Sequence, residues 1–232
     1  REALRREPAN ASAWSNLGAV LRRRGEHAAA AAAQWRAHRL APGDLAILGN
    51  LGNALQDADR LEEALAVRRE AVRRAPSPRA WSLLAVTLRS LGRLAESIEA
   101  AEAGLALAPG DAELTMQRAM GRLALGDHAG GFEDYARRWE IGEISRPAGL
   151  PPEWSGEDPT GLRVMVAPEQ GHGDALLMAR FLPALRALPW REVVLVVKPP
   201  LARLMQGIAG ADRVVPAGSR GPAPDRVVHM LD

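Results

Sequence analysis

The chain of 232 residues has no cysteine, which excludes disulfides and thiolate-held metal or iron–sulfur centres. It has one lysine, Lys198; the other basic groups are arginines. That bias, with the heavy use of alanine, reflects a GC-rich coding sequence more than a function. The 30 basic and 28 acidic residues leave a formal charge of +2, without the one-sided positive field of a nucleic-acid-binding protein. Aromatic residues make up 4%, and six of them are tryptophan. No apolar run reaches the roughly 20 residues of a membrane span, and no secretory leader pattern is visible. A cytoplasmic location is expected, with neither a membrane nor nucleic acid as partner.

What is present first is repetition. Trp14, Leu17, Gly18, Leu21, Gly25, Ala30, Ala37 and Pro42 align with Leu48, Leu51, Gly52, Leu55, Ala64, Ala71 and Pro76. Trp81, Leu84, Ala85, Leu88, Gly92, Ser97, Gly104 and Pro109 form a third set, and Thr115, Ala119, Arg122, Gly126, Gly131 and Tyr135 a looser fourth. The period of about 34 residues is that of a tetratricopeptide helix pair. Gly18, Gly52, Ala85 and Ala119 are small enough for helix A to approach its own helix B. Gly25, Gly92 and Gly126 fall where a left-handed helix end favours glycine, and Asp59 takes that place in the second repeat. Pro42, Pro76 and Pro109 end each helix B. Residues 1–140 therefore read as four repeats preceded by a partial one. Arg1–Arg6 reads as a helix tail, so sequence upstream of Arg1 is expected.

Such arrays present a concave groove lined by helix A. The sixth position of each repeat, expected to face it, holds Asn16, Asn50, Leu83 and Gln117. Asn16, Asn50 and Gln117 carry amides able to hydrogen-bond an extended peptide backbone without reading its sequence, and Leu83 interrupts the series. The pattern resembles the asparagine ladder of the O-GlcNAc transferase superhelix; simple solvation of these amides is the other reading. Phe132, Tyr135 and Trp139 are spaced to share one helical face, expected to cap the array. Asp127-His128 reads as a helix N-cap, since no further ligand stands at metal-binding spacing.

Residues 141–160, with Pro147, Gly149, Pro151, Pro152 and Gly156, read as a linker in which Trp154 is an anchor. From 161 the pattern changes to strand, helix, strand, helix. Strands are predicted over Arg163–Ala167, Glu192–Val197, Arg213–Pro216 and Arg226–Met230, with helices over Ala175–Leu188 and Pro199–Gly207. This is α/β sequence added to an α-solenoid. Residues 161–232 are too few for a complete Rossmann-like domain, so the chain is expected to continue beyond Asp232.

Trp154-Ser-Gly-Glu-Asp158, Gly161, Glu169-Gln-Gly-His-Gly-Asp174, Ala179-Arg-Phe-Leu-Pro183 and Val194-Leu-Val-Val-Lys-Pro199 together resemble the bacterial tetratricopeptide-linked glycosyltransferases. These are GT-B-type enzymes related to heptosyltransferases and, more distantly, to O-GlcNAc transferase. The resemblance implies that 161–232 opens the N-terminal Rossmann-like half of a GT-B fold. It also implies an inverting, metal-independent transfer from a nucleotide-sugar to a protein hydroxyl, flagellin or another surface protein being the implied acceptor. The donor would be bound mainly by a C-terminal domain outside this chain, and the fragment is expected to be inactive alone. No cofactor other than the nucleotide-sugar substrate is implied.

Within that resemblance Asp174 is the candidate catalytic base, with helix capping as its other reading. An acid at a helix N-terminus has its charged form favoured, which weakens it as a base. Glu169, Gln170, Gly171, His172 and Gly173 form the candidate acceptor loop, the two glycines expected to take positive φ. A dehydrogenase-type Rossmann reading is disfavoured, because the turn is not G-x-G-x-x-G and Lys198, not an acid, follows the second strand. The remaining alternative is a non-catalytic repeat scaffold for protein–protein interaction.

Overall fold

In the computed structural model, residues 2–141, 149–169, 171–219 and 223–230 are described. The chain divides into two compact units, residues 1–141 and 142–232.

The first unit is all helical: α1 (Glu2–Arg6), α2 (Ala11–Arg23), α3 (His27–Leu40), α4 (Leu45–Asp57), α5 (Leu61–Arg74), α6 (Pro78–Ser90), α7 (Leu94–Leu107), α8 (Ala112–Leu125) and α9 (His128–Tyr135). Each first helix of a pair starts on a short polar side chain that accepts from the opening turn. Asn10 takes Ala13 N, Asp44 takes Ala46 N and Ile47 N, Ser77 takes Ala80 N and Asp111 takes Leu114 N. The second helices α3, α5 and α7 start on Glu26, Arg60 and Arg93 without a side-chain cap. Their starting position is set by the tight turn before them. Gly25 (φ 76°), Gly92 (72°) and Gly126 (88°) are left-handed there. Asp59 adopts the same conformation at φ 56°, a backbone state that costs an L-residue roughly 1 kcal/mol or more.

The second helices are narrow where they meet their partners. Ala30, Ala31, Ala37, Ala64 and Ala101 are wholly or almost wholly buried. Two apolar clusters run through the stack, one around Leu48, Leu51, Leu55 and Ala64, the next around Leu65, Leu84, Leu88 and Ala101. Side-chain bonds join successive repeats: Asn50 donates to Ser15 Oγ at 3.2 Å, Thr87 to Gln56 Oε1 at 2.9 Å and Ser82 to Glu113 at 2.9 Å. The expected aromatic face of the fourth repeat is interrupted, because α9 ends at Tyr135 and Ala136–Glu140 tightens to a 3-10 turn. The buried Arg138 guanidinium instead lies 5.0 Å from the Tyr135 ring and 4.6 Å from that of Trp139.

The second unit is a four-stranded parallel sheet in the order β3-β2-β1-β4. Its strands are β1 (Arg163–Ala167), β2 (Glu192–Val197), β3 (Arg213–Pro216) and β4 (Arg226–His229). β1 is central: Val164 pairs with Val193 on one side and Arg226 on the other. The continuous apolar runs of β1 and β2 are buried with Leu182, Trp190, Leu201 and Met205. The crossovers differ from the expected continuous helices. Residues 172–186 form α10 (His172–Met178), a 3-10 turn (Ala179–Phe181) and α11 (Leu182–Arg186); α12 is only Pro199–Ala202. Pro183 lacks a backbone N–H, and Gly207 at φ 74° bars helix propagation. The unit is therefore a parallel α/β layer whose crossovers are shorter than the regular helices of a Rossmann domain.

Part of the segment read as a linker belongs to this unit. Val227 N donates to Pro152 O at 3.0 Å, Trp154 N donates to Val227 O at 2.9 Å, and Glu153 bridges Val227 in parallel. Trp154 meets Trp190 edge to face at 5.3 Å and packs on the sheet core. Its apolar burial explains the pairing: the proline-rich composition obscured a short edge strand anchored by one large side chain.

Replacing Asp59 with Gly, as in the other repeat turns, is expected to stabilise the helical unit by about 0.5–1 kcal/mol, net of the added chain entropy. Urea midpoints of wild type and Asp59→Gly check this; an unchanged or lower midpoint would show that the left-handed turn carries no strain.

Candidate functional site

Two regions carry the candidate residues. In the helical unit, Asn16 on α2 and Asn50 on α4 are exposed, while Gln117 on α8 is half-buried. They do not form one uninterrupted track. Asn16 borders a hollow of about 470 Å³ with Leu4, Leu17 and Val20. Asn50 borders two others, of about 330 and 400 Å³. The Gln117 Oε1 accepts from Arg89 Nη2 at 3.4 Å. The Asn50 amide gives one N–H to Ser15, which leaves its second N–H and its oxygen to offer a ligand.

The 330 Å³ hollow lies between α4, α5 and α6. Sequence reading passed over its most unusual member, Arg68, which is 3% exposed. Arg68 rises from α5 against Gly52 of α4, where an added Cβ would come within 2.7 Å of the guanidinium carbon. Its Nη1 donates to Gly49 O at 3.3 Å and its Nη2 to Asn53 Oδ1 at 2.5 Å, while Nε has no partner among the described residues. Burial, then the like charges of Arg22 and Arg79, pull its pKa down to about 10. The preceding repeat shows the neutral version: Gln34 lies against Gly18 and donates to Ser15 O at 2.9 Å. A long polar residue following each small helix-A glycine at the same spacing was the available signal.

In the α/β unit, the turn after β1 lies at the carboxyl end of the central strand, where the strand order changes side. Gly171, His172 and Gly173 are exposed, Glu169 and Asp174 are half-buried, and Gln170 lies outside the described residues. The Asp174 Oδ2 accepts from Gly171 N at 2.8 Å, a carboxylate reaching back to the start of α10. The expected positive φ is absent: Gly171 has φ −74°, and Gly173 is not among the left-handed glycines. A Cβ at Gly171 would stand 3.2 Å from Asp174 Oδ2, so close approach of that carboxylate is what favours glycine there. Arg180 lies over the Phe181 ring at 4.8 Å. Among the described residues no group of three His, Asp or Glu side chains could hold a metal ion, and no helix is long and apolar enough to cross a membrane.

Residues 1–44 and 50–112 match the family described as tetratricopeptide repeat. The helical unit is a solenoid of tetratricopeptide-like helix pairs. Protein FlbA of Caulobacter vibrioides is 30% identical over 66% of this chain and 33% of its own length. The chain thus spans about a third of the curated relative it matches. Among solved structures, MamA from residue 41 to its end, of Desulfovibrio magneticus RS-1, superposes with a TM-score of 0.54 at 22% identity, covering 60% of this chain and 78% of that one. A second MamA crystal structure gives a TM-score of 0.54 at 18% identity, covering 60% and 82%. At these identities the likeness concerns the fold of the repeats.

The Trp154–Asp158 segment is tied to β4 through Glu157, which accepts from Arg226 and from the Ser155 N–H and hydroxyl. These bonds, Arg226 first, lower the Glu157 pKa from 4.5 to about 2. A folded-state pKa below the unfolded one contributes stability above the unfolded value, lost as pH falls through the folded one. The α/β unit is therefore expected to weaken as pH drops from 4.5 toward about 2. Acid titration of Glu157→Gln followed by tryptophan fluorescence should show a shallower loss; identical profiles would remove this link.

Proposed function

We propose that this protein is a tetratricopeptide scaffold that binds an extended segment of a partner protein along the faces of α2, α4 and α6. The observation that carries the reading is the set of hollows in the helical unit, bordered by amide and guanidinium groups, two of them also lined by leucines. Backbone-directed amides with small apolar pockets are the usual way a helical repeat holds a peptide. The repeat match and the MamA-like fold support the same reading. A photo-crosslinking residue placed at Asn16 or Asn50 should attach to a discrete partner polypeptide, whereas one at exposed Arg36 or Arg69 on the second helices should not. Equal capture from both faces would place the interaction elsewhere.

A second reading, sugar transfer, rests on the turn at the end of β1. Its place beside the reversal of strand order, and the sequence signature shared with tetratricopeptide-linked glycosyltransferases, support a ligand-handling role within a longer GT-B protein. There Asp174 would take the acceptor hydroxyl proton, with Glu169, His172 and the glycines forming the acceptor surface and a nucleotide-sugar as donor. The Gly171–Asp174 bond favours the competing role of cap. Asp174→Asn in the full-length protein discriminates: loss of sugar transfer with donor binding kept supports the base, while turnover near that of wild type leaves only the cap.

A further inference from the structure

The outward face of the β1–β2 crossover breaks the usual pattern of a surface helix. Ala175, Ala179 and Leu182 turn into the sheet core, so the opposite face should be polar. It instead carries Leu176, Leu177 and Phe181, which are 46%, 55% and 52% exposed. Gly173, Leu177, Arg180, Phe181 and Ala184 are all exposed. With half-buried Asp174, their spacings of three and four residues place them on one ridge. The 3-10 turn at Ala179–Phe181 keeps that ridge aligned, because residues three apart eclipse in it.

The two charges on this ridge make no ion pair among the described residues. The Asp174 Oδ2 accepts from Gly171 N, which leaves the other carboxylate oxygen to accept. The Arg180 guanidinium lies 4.8 Å from the Phe181 ring and keeps its donors. The ridge is complementary to its own reverse, with Leu177 as the midpoint. Asp174 stands three residues before it and Arg180 three after; Gly173 stands four before and Phe181 four after. A second copy laid antiparallel about Leu177 sets each Asp174 against the partner's Arg180 and each Phe181 over the partner's Gly173. The space beside Gly173 is open, since a Cβ built there would meet nothing within 4 Å.

We infer that the outward face of α10, the 3-10 turn and α11 is a self-association surface, on which a second copy of this chain docks antiparallel with Leu177 at the twofold axis. The occupant is a second copy because one ridge supplies both members of every pair, the mark of an isologous contact. Two Asp174–Arg180 pairs flank a centre of Leu177 and Phe181, with Leu176 at its margin. A single helix pair buries less than the roughly 1,600 Å² of a standard interface, so association is weak, with a Kd on the order of 10–100 µM. The inference is independent of the peptide groove. It engages the carboxylate named in the sugar-transfer reading, so dimer formation and acceptor handling at that turn exclude each other.

The test is sedimentation velocity on the 232-residue protein over about 5 to 500 µM, a range that brackets the expected Kd. Wild type should shift from monomer to dimer as concentration rises. Leu177→Asp changes an exposed side chain, so it should stay monomeric throughout while its melting temperature matches that of wild type. Asp174→Arg and Arg180→Asp each set like charges against one another and should be monomeric alone. An equimolar mixture of the two should dimerise, because opposite charges then meet at both positions. Asp174→Arg also loses the bond to Gly171, so its fold is checked by its melting curve; Leu177→Asp and Arg180→Asp keep that bond and decide the matter without it. A wild type that stays monomeric, a dimer kept in Leu177→Asp or in Arg180→Asp, or a mixture of folded variants that stays monomeric would overturn the inference.

Discussion

The helical unit depends on how closely the two helices of each repeat can approach. Gly18, Gly52, Ala85 and Ala119 remove side-chain bulk from one surface, and the alanines of α3, α5 and α7 remove it from the other. At Gly18 and Gly52 the space left free takes the Gln34 and Arg68 side chains of the second helix, and the larger side chains Leu48, Leu51, Leu84 and Leu88 lie in the apolar clusters of the stack. The inter-repeat bonds Asn50–Ser15, Thr87–Gln56 and Ser82–Glu113 then fix the register of one pair on the next.

The same constraint creates the chemistry of the groove. A missing Cβ at residue 18 or 52 leaves a channel through which a long side chain of the second helix can cross to the first. In one repeat the channel admits an amide, in the next a guanidinium. In the third, Ala85 closes it, and Ser97 makes a shorter bond to the Ala85 carbonyl at 2.8 Å. The identity of one residue pair per repeat thus decides whether the surface above it is neutral, basic or sealed.

The α/β unit is governed by its central strand. β1 pairs on both sides, with Val164, Val166 and Ala167 buried, so the segments leaving its carboxyl end must turn over the sheet within a few residues. The Gly171–Asp174 bond stabilises that turn, and the same geometry exposes His172. Structural capping and ligand handling are compatible demands on one carboxylate, which is why the position of Asp174 alone does not separate them.

Much of this architecture was legible in the residues themselves. The repeat period, the small residues at the helix crossings, the left-handed turns including Asp59, the Asp127 cap and the apolar runs of the four strands are local or periodic properties, and each is imposed by backbone sterics, capping or side-chain alternation within one element. What escaped was set by residues distant in sequence. The pairing of Pro152–Trp154 with β4, the breaks at 179–181 and 203–207, and the burial of Arg68 depend on neighbours that only folding supplies. A sequence displays an arginine as a charge on a helix. Whether water or a low-dielectric gap against Gly52 surrounds it is a property of packing alone.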